Sequence, residues 1–180
     1  MSTFAQTVTE WHDFYIMVGT AAATLVGLLF IGLTLNIDLI RRADFADIQT
    51  LAVLTFNSFI YTVIIAMVFL IPQQDPTGLG LPLLAVGGFG LWNVLVQFYR
   101  TRGSHRALGR SSVTIRFFLP AISLLAIVVI AISVLSGSTS GFYLLVPVMI
   151  VLLGTGSRNA WDLLIGLRAP ERDSNASPRK

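Results

Sequence analysis

From its N-terminus the chain alternates long apolar stretches with short polar ones. Five stretches, at about residues 15–37, 48–71, 81–99, 117–135 and 142–160, are apolar over close to the ~20 residues that a helix needs to cross a bilayer. Between them lie Asp38–Asp47, the breaker-rich turn Pro72-Gln-Gln-Asp-Pro-Thr-Gly78, the arginine-rich Arg100–Arg116 and the short Ser136–Gly141. The pattern predicts an all-α, polytopic membrane protein with five transmembrane helices. It reads as a single domain over residues 1–168, followed by a disordered charged tail over 169–180. Met1–Trp11 reads as a short polar lead, and Pro120 as tolerable in the first turn of the fourth helix.

Composition reinforces this reading. Hydrophobic residues make up 54% of the 180 and charged residues only 12%, about half the charged share of a typical soluble domain. There is no cysteine, which excludes disulfides, zinc–thiolate sites and a cysteine nucleophile. The +3 net charge is not a nucleic-acid signature, because its distribution follows topology. All 12 Lys and Arg residues lie in the first polar segment, in the third, or from Arg158 onward. Basic residues favour the cytoplasmic side, so the pattern predicts an outside N-terminus and a cytoplasmic C-terminus. Arg100, Arg102, Arg106 and Arg110 are candidates for contact with anionic lipid headgroups.

The first apolar stretch has an unusual side. At 100° per residue, Gly19, Thr20, Ala23, Thr24, Gly27 and Thr34 fall within an arc of about 140°. Extending the helix brings Asp13 to that arc at one end and Asp38 at the other. Ile16, Phe30 and Ile31 share it. Gly19, Ala23 and Gly27 repeat a small residue every fourth position, which permits close approach of another helix in lipid. Alternatively, the hydroxyls line a wet path, with Phe30 and Ile31 as its constriction.

Buried amides are the second theme. Asn57 and Tyr61 lie one turn apart in the second stretch, and Asn93 and Gln97 in the third. They are expected to join helices, since amides in hydrocarbon need partners. Gly87-Gly88-Phe89-Gly90 reads as a packing segment. His12-Asp13 beside Glu10 is a weak metal signal, because adjacent helical residues point about 100° apart. No Gly-x-Ser-x-Gly elbow, His-Glu-x-x-His pair or phosphate-binding loop occurs. The expectation is a non-enzyme without a cofactor.

Trp11-His-Asp-Phe-Tyr15 followed by Gly19-Thr-Ala-Ala-Ala-Thr-Leu-Val-Gly-Leu-Leu-Phe30 resembles the first span of an uncharacterised family of small bacterial multi-pass proteins. The resemblance implies the bacterial inner membrane and no particular activity. The expected function is a homo-oligomeric ion or small-solute channel or transporter, with the arc of the first span at the subunit interface or pathway. The alternative is an accessory or scaffolding subunit of a larger membrane complex. The expected partners are anionic lipid, further copies of the chain and other membrane subunits, but not nucleic acid.

Overall fold

The computed structural model describes residues 4–35, 46–101 and 110–175. Within them the chain forms six helices: α1 Phe4–Glu10, α2 His12–Leu35, α3 Ala46–Phe69, α4 Pro76–Thr101, α5 Arg110–Leu135 and α6 Phe142–Asn175. The five long ones, α2 to α6, are long and apolar enough to cross a membrane.

Local chemistry places the helix ends. Asp75 caps α4: its Oδ1 accepts from the Gly78 backbone N–H at 2.8 Å. Pro76 follows at the first helical position, where a missing N–H costs nothing. At the same end of the α4–α5 pair, α5 ends at Leu135 and is closed by Gly137. Its φ of +83° lets the Ser138 N–H reach the Ser133 carbonyl and the Gly137 N–H the Val134 carbonyl, closing the helix with a left-handed residue.

Three features depart from the sequence reading. The lead segment contains a helix, α1, which buries Val8 and sets Phe4 edge-on to Phe142 at 5.9 Å. Seven residues are too few to show a helical period. Helix α5 starts at Arg110, so Pro120 sits well inside it rather than in its first turn. An interior proline leaves one carbonyl without its helical donor, which spanning helices accommodate through neighbouring groups. Helix α6 continues to Asn175, through the point where the tail was expected to begin at Ala169. Residues 176–180 lie outside the described region.

Helices α3 to α6 form a bundle, and α2 lies along α3 with a lighter contact to α6. Phe59, Ile65, Leu83, Leu124, Ile127, Leu145 and Met149 are fully buried and fill the interior. The tightest seam joins α4 and α5. A Cβ on Gly87 would stand 2.8 Å from Val128 Cγ2, and one on Gly90 would stand 2.6 Å from Leu124 Cδ2. The glycine segment of α4 therefore brings two helices close, although Gly88 faces open space. Gly156 does the same for α6 against the Phe59 ring, at 2.6 Å.

One end of the bundle is tied by aromatic rings. Tyr15 of α2 stacks on Phe69 of α3 with centroids 3.9 Å apart. Phe142 of α6 meets Phe69 edge-on at 5.3 Å, and Trp11 meets Tyr143 at 5.1 Å. The starts of α2 and α6 and the end of α3 therefore share this end. Successive long helices alternate in direction, and the described arginines, from Arg100 to Arg172, fall towards the opposite end.

Candidate functional site

Helix α2 presents two faces. Tyr15, Val18, Ala22 and Leu29 are buried against the protein, with Leu25, Val26 and Leu33 half-buried beside them. The centre of this face lies about 140° round the helix from the small and hydroxylated arc. The arc points outward: Thr20, Ala23, Thr24, Gly27 and Thr34 are all exposed. Phe30 and Ile31 on the same arc are 64% and 56% exposed.

The small-residue series divides accordingly. Gly19 faces the bundle, where a Cβ would meet Ala66 Cβ of α3 at 2.9 Å. Gly27 has nothing within 4 Å. Each four-residue step turns the direction by about 40°, so Ala23 and Gly27 rotate away from the contact that Gly19 makes. Two of the hydroxyls on the arc bond within their own helix. Thr24 Oγ1 donates to the Thr20 carbonyl at 2.9 Å, and Thr34 Oγ1 donates to the Phe30 carbonyl at 2.8 Å. Their O–H groups are used, and their oxygen lone pairs remain available as acceptors. Asp13 is exposed at the start of the arc; Asp38 lies outside the described residues.

Part of the amide theme is seen as an interhelical bond. Asn93 Nδ2 of α4 donates to the Tyr61 hydroxyl of α3 at 3.3 Å, with Tyr61 itself buried. The partner of Asn93 is thus Tyr61, one turn on from Asn57, which is half-buried, as is Gln97. The structure adds buried polar residues that the sequence reading missed: Thr55, Ser58 and Thr62 of α3, Ser123 of α5 and Asn159 of α6. Ser58 and Thr62 donate to the carbonyls four residues back. This is why hydroxyls pass unnoticed in apolar helices: they satisfy themselves locally.

At the aromatic end, α1 roofs a cavity of about 310 Å³ whose walls include Val8, Thr9, His12, Phe69, Gln73 and Gln74. A second hollow, lined by Ala5, Gln6, Thr9, Glu10 and Gln73, adjoins it. Nothing in the sequence marked Gln74, which is only 7% exposed. His12 and Asp13 are both exposed, and among the described residues no three His, Cys, Asp or Glu side chains are grouped to hold a metal ion. Of the four candidate lipid-contact arginines, Arg100 belongs to the end of α4 and Arg110 begins α5, whereas Arg102 and Arg106 lie outside the described residues.

No protein-family model matches the chain, and no curated protein or solved structure is significantly similar to it.

Proposed function

We propose that this protein is a homo-oligomeric membrane channel or transporter for a cation or small solute, with the outward arc of α2 between subunits. The observation that carries this reading is the exposure of that arc on the far side of α2 from its own bundle. The bundle interior is packed mainly with apolar side chains, and Ser58 and Thr62, among its buried hydroxyls, are bonded to their own helix, which favours a polar route between subunits over one within a subunit. The oxygens of Thr24 and Thr34 have spent their protons on backbone carbonyls, and acceptors of this kind suit a cation. Exposed Asp13 adds negative charge at one end of the arc.

The proposed setting is the bacterial inner membrane, with the N-terminus outside and the C-terminus cytoplasmic. The segregation of Lys and Arg supports this orientation. A reporter fused after Lys180 is expected in the cytoplasm and one fused before Ser2 in the periplasm. Two termini on one side would exclude five crossings.

A second reading rests on Gly27. Its open surroundings, beside exposed Ala23 and Thr24, leave a flat strip that a helix of a different protein can approach closely. The protein is then a non-enzymatic accessory or scaffolding subunit. Mass measurement in detergent and ion flux from liposomes separate the two. The channel reading expects a defined homo-oligomer and a flux above that of empty liposomes. A monomer that conducts nothing leaves the scaffolding reading.

A further inference from the structure

The connections of the chain divide the five long helices into two groups. Because successive helices alternate in direction, the chain passes from α2 to α3, and from α4 to α5, at the end opposite the aromatic rings. The other two connections, Leu70–Asp75 and Ser136–Gly141, both lie at the aromatic end. Each is short and bonded to the helices that it joins. The Ile71 N–H donates to the Val68 carbonyl, and the Phe142 N–H to the Thr139 carbonyl at 3.1 Å. The α4–α5 hairpin is therefore joined by the chain to α3 and α6 at the aromatic end alone.

Packing follows the same division. Helix α4 packs far more extensively on α5 than on α3. Gly80, Gly87 and Gly90 set it directly on Leu135, Val128 and Leu124. Towards the opposite end there is a second apolar cluster of Leu29, Ala52, Phe59 and Leu163. Among the described residues it is built by α2, α3 and α6 without α4 or α5. Tyr61 crosses from α3 to α4. Its ring lies over Gly90, where a Cβ would stand 3.3 Å from Tyr61 Cε2, and its hydroxyl accepts from Asn93 Nδ2 at 3.3 Å. Asn93 is about 26 Å along α4 from Pro76, so this bond holds the hairpin far from its two chain connections.

We propose that the α4–α5 hairpin moves as one body, hinged at the two turns of the aromatic end, and that the Tyr61–Asn93 hydrogen bond is the latch that holds its far part against α3. Hinges of this kind are a few residues at loops or element ends that absorb the change, while the packed bodies on either side keep their shape. Release of the latch parts α3 from α4 towards the opposite end and leaves the α4–α5 seam closed. The device does not depend on conduction by the α2 arc.

The chain has no cysteine, so introduced thiols carry spin labels without background. Three pairs of exposed positions in the full-length protein in nanodiscs report the motion as distances from pulsed electron resonance. Val53→Cys with Leu95→Cys spans the latched seam. Met67→Cys with Leu81→Cys spans the same two helices near the hinge. Leu95→Cys with Phe118→Cys lies within the hairpin. The first pair should give a principal distance and a second, longer one, and the other two pairs a single distance each. Tyr61→Phe removes only the hydroxyl. It should raise the ratio of longer to shorter distance about threefold, the effect of losing an average interhelical hydrogen bond in a bilayer. Asn93→Leu removes the donor instead and should shift the ratio in the same direction; it also serves if the phenylalanine variant fails to fold. A single narrow distance across the seam in the wild type and both variants overturns the proposal. So does a second distance whose weight neither substitution changes. Broadening of the hairpin pair together with the first means that the whole bundle loosens, and a Met67–Leu81 pair that shifts as far as the first means that there is no hinge; either result overturns it too.

Discussion

Leucine at Gly87 should destabilise the fold, whereas leucine at Gly27 should leave the fold intact and break the proposed assembly. A Cβ on Gly87 already stands 2.8 Å from Val128 Cγ2, 3.2 Å from Ile127 Cγ2 and 3.2 Å from the Val128 backbone nitrogen. The last contact is with main chain inside a helix, which cannot swing aside as a side-chain tip can. Helices α4 and α5 must separate, and overpacking of this kind costs about 1–3 kcal/mol. Thermal unfolding in detergent should show that loss. At Gly27 the added side chain enters open space, and leucine is a better helix former than glycine. The melting of the isolated subunit should therefore stay within about 0.5 kcal/mol of wild type, while the oligomer mass falls because a neighbouring backbone can no longer approach. A Gly27→Leu protein with wild-type oligomer mass would show that this face meets lipid.

If the α2 arc is a pathway, as proposed, flux should show the second large effect. Thr24 is exposed near the middle of the helix, with its oxygen held in place by the bond to the Thr20 carbonyl. Thr24→Leu replaces an acceptor by an apolar side chain, so the path narrows and dries. Flux from liposomes should fall at least tenfold, the consequence of raising a barrier by about 1.4 kcal/mol. Ile31 is exposed on the same arc. As part of an apolar constriction that closes by dewetting, it should leak when changed to serine. Neither substitution touches the buried face of α2, so expression and melting serve as controls. Flux that is indifferent to both removes the arc from any pathway.

These two experiments fall on either side of a line that the sequence does not draw. The number of long helices, their approximate positions and the segregation of basic residues are legible in the chain, because transfer from water to an apolar phase depends on composition and length alone. The role of each helix is not. The membrane-crossing lengths of α2 and α3 are similarly apolar, yet 17% of the residues of α2 are buried against 61% of those in Ala52–Phe69. Lipid tails and a protein interior are equally good solvents for leucine, so hydropathy cannot distinguish an edge helix from a central one.

The same limit applies to the small residues. Gly19, Ala23 and Gly27 form one pattern in the sequence, but only Gly19 meets its own bundle, against Ala66. Gly87 and Gly90 carry no clearer signal, yet they make the closest helix seam. Nothing in the breaker-rich turn marks Gln74 for burial, and the cavity it lines is shared with α1, a seven-residue helix too short to leave a period. By itself the sequence determined five apolar helices, their punctuation and the charge that separates their ends, since these follow from local chemistry and solvent preference. Only the tertiary structure decided which face of α2 turns outward, which glycines bear contact and which amide bonds across helices, because those depend on what lies opposite each residue in space.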